Sequence, residues 1–194
     1  MSRRPLASAA AIALLLALAG CLALAAPARL PEARADGFDL LAFFDGEARS
    51  TGTITTALVS TEAFSATFEG RREGGVLHLD ERFRFADGST RLQRWRLTRE
   101  DGGRLRGTVE TEDETGALRP PVSVEGRLTA EGAVLAYDGY APGGGTVRLG
   151  FRHAMTRLDG RRVANHVTVR LLGLPLATSD VVFTRDGANP LLMR

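Results

Sequence analysis

One carboxylic acid of this chain occurs where its chemistry would be unusual. Glu81 follows Leu79 and precedes Phe83 at a spacing of two residues. Side chains two apart on a β-strand share a face, so Glu81 is predicted to point with these apolar residues into a core. Burial disfavours the ionised form of a carboxyl group and raises its pKa, which makes Glu81 a candidate acid, base or ligand anchor. The alternative is a structural role, with the carboxyl satisfied by Arg91, Gln93, Arg94 or a backbone amide.

Three other polar or aromatic side chains are predicted to face the same core. His153 and Asn165 each interrupt an apolar alternating row, and Trp95 is the only tryptophan in the sequence. Apolar pockets with a few polar groups are the usual form of small-ligand sites. The predicted pocket is lined by Leu79, Phe83, Trp95, Phe151 and Met155, with Glu81, His153 and Asn165 as its polar points. The competing interpretation makes His153 and Asn165 core residues that bond each other or the backbone, and makes Trp95 a core residue at the barrel floor.

The stretch 75–99 is predicted to be a β-hairpin that positions Glu81. It alternates apolar and polar residues on both sides of an Asp-Gly pair, and this pair favours a tight turn. A two-residue loop would place Trp95 opposite Asp80, against the apolar row. A three-residue loop over residues 87–89 places Trp95 opposite Glu81 on the apolar side, and we favour this register.

A second hairpin, over residues 146–172, follows the same pattern. Its two rows are Val147, Leu149, Phe151, His153 and Met155 in the first strand, and Val163, Asn165, Val167, Val169 and Leu171 in the second. A three-residue loop over residues 159–161 places both rows on one face, with Met155 opposite Asn165 and His153 opposite Val167. Two polar side chains thus enter an apolar surface.

These hairpins belong to a chain that is predicted to be all-β. The predicted strands are 47–56, 63–71, 76–85, 90–99, 104–111, 122–129, 133–140, 146–157, 163–172 and 176–185, after a short helix or turn within 38–46 that plugs one end of the core. Short loops favour antiparallel pairing of sequence neighbours, and one flat sheet of this width would expose two edges. We expect an antiparallel up-and-down barrel of about 8–10 strands; the alternative is a β-sandwich.

The amino-acid composition limits the kinds of molecule that the chain is expected to bind. The chain has 25 basic and 23 acidic residues. Residues 1–20 hold two arginines and no acid, so the remainder is balanced at 23 of each. Charges of both signs alternate along the strands, which argues against a nucleic-acid partner. The three histidines, His78, His153 and His166, are far apart and outside any metal-ligand spacing, so we predict no metal and no cofactor.

The N-terminus resembles a bacterial export signal. Arg3 and Arg4 precede an apolar run, and Leu18-Ala19-Gly20-Cys21 resembles a lipobox whose cysteine is acylated. We predict a lipoprotein signal peptide at 1–20, a tether at 21–37, a barrel domain at 38–188 and a tail at 189–194. A lipid on Cys21 would hold the protein at a membrane, and Leu22 after it favours the periplasmic side of the outer membrane. The alternatives are cleavage after Ala25 or Ala26, giving a soluble periplasmic protein, or an uncleaved anchor over 6–26.

The chain resembles an uncharacterised family of small proteobacterial lipoproteins with a lipocalin-like barrel. The resemblance rests on the segment 77–88, Trp95-Arg96-Leu97, Gly107-Thr108, and Asn165 shortly before Leu172-Gly173. It implies a domain of unknown function whose genes often lie among genes for fatty-acid modification. This chain departs from the family at residues 152–155, Arg-His-Ala-Met, where the family has a tryptophan, so no role of that aromatic carries over.

Three functions follow from these expectations. The first is a membrane-anchored envelope lipoprotein that binds or carries an apolar ligand, such as a fatty acid or phospholipid. The second is a lipid-modifying enzyme, an isomerase or hydrolase, that uses Glu81 or His153 as general base. The third is a structural envelope protein with a solid barrel and no ligand. The sequence favours the first and identifies no catalytic residue.

Overall fold

Ten antiparallel strands close into a barrel in the computed structural model, which describes residues 30, 32, 38–56 and 60–185. The strands are β1 (Gly46–Thr56), β2 (Ser60–Glu73), β3 (Val76–Phe85), β4 (Thr90–Arg99), β5 (Arg104–Thr111), β6 (Val122–Leu128), β7 (Gly132–Gly139), β8 (Leu149–Arg157), β9 (Arg162–Leu171) and β10 (Leu174–Arg185). Each strand pairs with its sequence neighbours, and β1 pairs with β10 to close the barrel. The predicted lipocalin-like barrel is confirmed, and the β-sandwich alternative is wrong.

A one-turn helix, α1 (Leu40–Phe43), plugs the end of the barrel where β1 begins. The side chain of Asp39 caps it by accepting a hydrogen bond from the Ala42 amide at 3.0 Å. Leu40 and Phe43 are buried in the barrel core. The predicted helix or turn over 38–46 is confirmed, and this end of the barrel is closed.

The plug continues through Phe44, whose ring packs 5.3 Å from that of Phe68 and 5.2 Å from that of Phe183. Gly70 of β2 lies directly beneath it, and a Cβ atom there would stand 1.7 Å from the Phe44 carbonyl oxygen. Glycine is therefore required at position 70 for α1 and Phe44 to pack against the strands. The loops that join β3 to β4, β7 to β8 and β9 to β10 lie at the opposite end.

The β3–β4 hairpin differs from the predicted pairing by two residues. Trp95 lies opposite Leu79, and Glu81 lies opposite Gln93. The loop is residues 86–88, not 87–89, because a three-residue hairpin loop places its left-handed residue last, and Gly88 has φ +83°. The predicted pairing of Trp95 with Glu81 is wrong, but a shift of two preserves the face on which each side chain lies.

The β8–β9 hairpin has the predicted register, with Met155 opposite Asn165 and His153 opposite Val167. Its ends are shorter than predicted. Because β8 begins at Leu149, Val147 precedes the strand and is 57% exposed, not part of the inner row. The inner row of β9 likewise ends before Leu171, which is 36% exposed.

The predicted signal peptide at 1–20 and the C-terminal tail at 189–194 lie outside the described residues, as does most of the predicted tether at 21–37. Within the described part of the chain, no helix is long and apolar enough to cross a membrane.

Candidate functional site

A cavity of about 760 Å³ lies inside the barrel. Leu40 and Phe44 bound it at the plugged end, and Thr56, Ser89 and Pro142 bound it at the loop end. Its volume falls within the range of about 300–1,000 Å³ that is typical of small-ligand pockets. The barrel is therefore hollow, with a mouth at the end away from α1.

Every predicted pocket residue lines this cavity. They are Leu79, Glu81, Phe83, Trp95, Phe151, His153, Met155 and Asn165. They come from four strands, β3, β4, β8 and β9, and the inward rows of the two predicted hairpins supply them. Their part in ligand binding stays a prediction.

Glu81 is buried and bonded to the neighbouring tryptophan. Trp95 donates its indole Nε1–H to Glu81 Oε2 at 3.0 Å, and the two residues are 9% and 4% exposed. Trp95 reaches Glu81 diagonally across the strand pair, because the residue directly opposite it is Leu79. Burial raises the pKa of Glu81 from 4.5 to about 8, and the Trp95 hydrogen bond opposes this rise. At neutral pH the Glu81 carboxyl is therefore protonated and uncharged.

The ion pair considered for Glu81 does not form. Arg94 instead binds Asp80 on the outer face, with its Nε 2.9 Å from Asp80 Oδ1. Arg91 donates to the Thr90 carbonyl at the mouth. No guanidinium among the described residues neutralises Glu81, which is consistent with its raised pKa.

A second polar row lies beside Glu81 and was not among the predicted site residues. Gln93 lies opposite Glu81 and donates to Thr111 Oγ1 at 2.9 Å. Tyr137 of β7 also lines the cavity. Burial, and then the charge of Glu81, raise the pKa of the Tyr137 phenol, while Gln93 acts in the opposite direction. The alternation of Tyr137 with Leu135 in the sequence was the signal that could have identified it.

His153 and Asn165 contact each other, as one of the two interpretations expected. Asn165 Nδ2 lies 3.2 Å from His153 Nδ1. An amide nitrogen only donates, so Nδ1 accepts and the neutral ring carries its proton on Nε2. Burial lowers the pKa of His153 to about 4. His153 Nε2 and Asn165 Oδ1 are buried without a hydrogen-bond partner, which leaves one donor and one acceptor unused.

Aromatic packing joins these groups into one surface. The Tyr137 ring lies parallel to the His153 ring at 5.8 Å, and the Trp95 ring is perpendicular to both, at 5.4 Å from Tyr137 and 5.9 Å from His153. We call this surface the polar wall: Glu81, Trp95, Tyr137, His153 and Asn165. Phenylalanines and aliphatic residues form most of the remaining lining.

The cavity lining contains carboxylic acids but no strongly basic side chain of the described residues. Its acidic residues are Glu62 and Asp87 at the mouth and Glu81 inside, and no arginine or lysine of the described chain lines it. The described residues also contain no group of three or more His, Cys, Asp or Glu able to hold a metal ion. The site is thus an apolar cavity whose polar groups are uncharged in the interior.

The closed antiparallel barrel with an internal cavity is a lipocalin-like fold. The family model described as "Protein of unknown function (DUF3833)" matches residues 15–185, and the chain belongs to this family. The predicted membership of an uncharacterised family with a lipocalin-like barrel is confirmed. No curated protein sequence is similar to the chain.

Solved structures with the same fold are distant in sequence. The S-type phycobiliprotein lyase CPES from Guillardia theta superposes with a TM-score of 0.54 at 10% identity, over 77% of this chain and 92% of the lyase. Rv2717c from M. tuberculosis superposes with a TM-score of 0.53 at 18% identity, over 76% of this chain and 95% of its own. At these identities the similarity establishes the fold alone.

Proposed function

We propose that the barrel binds one apolar or amphipathic molecule and carries it without chemical change. The observation that supports this proposal is the cavity of about 760 Å³, apolar over most of its lining and polar along one wall. Such a cavity buries an apolar chain, while the few polar groups orient the ligand. A fatty acid or phospholipid is the expected class from the sequence.

The cavity argues against a purely structural barrel. Protein interiors are packed about as densely as organic crystals, and their voids rarely exceed the size of a water molecule. Small inner residues such as Ala177 and Ser179 leave space in the barrel where larger side chains would close it. A solid barrel would bury more apolar surface and would be more stable.

The enzymatic alternative would depend on Glu81 and not on His153. A general base works best with a pKa near the operating pH. Glu81, with a pKa of about 8, meets this condition although it is mostly protonated at neutral pH, whereas His153, with a pKa of about 4, is a weak base. If Glu81→Gln abolished turnover of a lipid while its binding remained, the enzymatic alternative would replace this proposal.

We also propose that the protein is an envelope lipoprotein. Its basis is the lipobox-like Leu18-Ala19-Gly20-Cys21 after an apolar run. A lipid on Cys21 would tether the barrel at the periplasmic side of the outer membrane, close to a source of apolar ligands. Mass spectrometry of the mature N-terminus tests this: a diacylated or triacylated Cys21 is expected, and an unmodified chain starting near Ala26 would contradict it.

Native mass spectrometry of the protein purified from its own membrane tests the binding proposal. We expect a population heavier than the chain by one lipid, which dissociates on denaturation. The matched control is Val167→Trp, which places an indole in the cavity opposite His153 and should yield only the bare chain. The bare chain alone in the wild type, together with no binding of a neutral apolar dye, would overturn the proposal.

A further inference from the structure

We infer that the ligand carries an uncharged, oxygen-containing polar group, such as an alcohol, ester or amide, and that the barrel rejects carboxylate and phosphate anions. This inference rests on the proposed function and specifies the chemical class of the ligand. It replaces the sequence-based expectation of a fatty acid or phospholipid, whose carboxylate or phosphate is ionised at neutral pH, with molecules that have an uncharged head group.

The cavity has no cation where the ligand would lie. Among the described residues that line it, the ionisable acids are Glu62, Glu81 and Asp87, and there is no arginine or lysine. Arg91 has the inward register of β4 but lies at the mouth, where it bonds the Thr90 carbonyl. An anionic group would therefore lose its hydration inside the barrel without gaining an ion pair, and such unpaired burial is strongly unfavourable.

The polar wall offers hydrogen-bonding groups that suit a neutral partner. Glu81 Oε2 is occupied by Trp95, so the protonated carboxyl presents its other side to the cavity as a hydroxyl donor. A hydroxyl, carbonyl or ester oxygen accepts from this donor. Beyond it, His153 Nε2–H and Asn165 Oδ1 have no protein partner, but both atoms are fully buried, so a ligand would reach them only after a side-chain rotation. A neutral oxygen satisfies the Glu81 donor, and leaving that donor unpaired costs about 1–3 kcal/mol.

The groups that face Glu81 around the barrel are uncharged as well. Phe68 of β2 and Gln93 of β4 are its direct cross-strand partners, and neither is ionisable. The titratable groups on the facing side are Tyr137 of β7 and His153 of β8. Burial keeps both in their neutral forms at neutral pH, the phenol protonated and the imidazole unprotonated. The interior therefore contains no charge that would pair with a charged ligand.

A displacement assay with N-phenyl-1-naphthylamine, a neutral apolar dye, tests this inference at pH 7. The competitors are dodecanol, methyl dodecanoate, dodecanoate, dodecyl phosphate and dodecylamine, which bury the same apolar chain and differ in their polar groups. We expect dodecanol and methyl dodecanoate to displace the dye at concentrations at least about tenfold below those of the two anions, a difference of about 1.4 kcal/mol. Tighter binding of an anion or of the amine would overturn the inference.

A pH series adds a readout that simple apolar binding would not show. The affinity for methyl dodecanoate, whose ester oxygens only accept hydrogen bonds, should fall above about pH 8 in the wild type, because the Glu81 hydroxyl donor is lost on ionisation. Glu81→Gln retains an N–H donor and should remove this fall, and the control Glu131→Gln, at an exposed position between β6 and β7 outside the cavity lining, should retain it. If Glu81→Gln fails to fold, the wild-type series still decides, since a flat methyl dodecanoate affinity from pH 6 to 9 would contradict the role of Glu81.

The displacement assay distinguishes an error in the proposed carrier function from an error in the proposed uncharged head group. If the dye and every competitor fail to bind, the carrier function is wrong and this inference fails with it. If the dye binds and anions compete as well as dodecanol, the carrier function stands and only the uncharged head group is wrong.

Discussion

Glu81→Gln should make the folded protein more stable at alkaline pH, even though it removes a buried group. In the folded barrel the pKa of Glu81 is about 8, against 4.5 for the ordinary group. Between these values the folded state holds a proton on Glu81 that the unfolded state has released. Stability therefore falls as pH rises through this window, and the full contribution of the protonated carboxyl is present only below about pH 4.5.

The magnitude follows from the size of the pKa shift. The difference between 8 and 4.5 is 3.5 pKa units. At about 1.36 kcal/mol per unit, the ionisable carboxyl lowers the free energy of unfolding by up to about 5 kcal/mol between pH 4.5 and pH 8 or above. Glutamine has nearly the same shape and can accept the Trp95 hydrogen bond through its amide oxygen, so its stability should lack this dependence.

Urea denaturation of wild type and Glu81→Gln from pH 5 to 9 measures this effect. The difference in free energy of unfolding should change in favour of the variant by roughly 1.4 kcal/mol per pH unit, and should level off above about pH 8. Glu62→Gln, which alters an exposed carboxyl at the mouth, is the control and should track the wild type. A constant difference between wild type and Glu81→Gln across this range would refute the assignment of a protonated, buried Glu81.

Three further predictions concern the cavity and the plug. Because the pKa of His153 is lowered from 6.5 to about 4, the unfolded state binds its proton first on acidification. The free energy of unfolding of the wild type relative to His153→Gln should therefore fall by about 3 kcal/mol between pH 6.5 and 4 in urea denaturation, and the opposing contribution of Glu81 cancels in this difference. Gly70→Ala should cost more than about 3 kcal/mol through its clash with the Phe44 carbonyl, whereas Gly160→Ala, whose Cβ would meet nothing within 4 Å, should change thermal stability by less than about 0.5 kcal/mol. Val167→Trp should abolish binding of N-phenyl-1-naphthylamine while the far-ultraviolet circular dichroism stays that of the wild type; dye binding at wild-type affinity would place the ligand elsewhere.

The alternation of apolar residues was sufficient to predict which side chains face the barrel interior. Glu81 and His153 were placed inward because their neighbours two residues away are apolar, and the structure has both lining the cavity. Predicting which residues pair across two strands required more information than this two-residue period. The predicted partner of Trp95 was wrong by two residues because of the β3–β4 loop. The prediction made Gly88, which has the left-handed conformation, the second residue of the loop, whereas it is the third.

Other parts of the site depend on contacts that a sequence pattern does not contain. The hydrogen bond from Trp95 to Glu81 is diagonal, and its formation depends on how far the indole extends along the strand. Tyr137 enters the polar wall from β7, a strand remote in sequence from β3, so only closure of the barrel brings it near Glu81. The cavity volume equals the volume enclosed by the ten strands minus the volume of the side chains that point inward. No local sequence pattern determines this difference.

Fluorescence of Trp95 tests most directly whether the cavity is the ligand site. Trp95 is the only tryptophan of the chain, and it lines the cavity beside Glu81. Titration with a bromine-substituted dodecanol should quench its emission saturably at one ligand per chain, because bromine quenches an indole only at short range, and unsubstituted dodecanol should bind without this loss. Emission that stays unchanged, or that falls without saturation as for free tryptophan in solution, would contradict a ligand site inside the barrel.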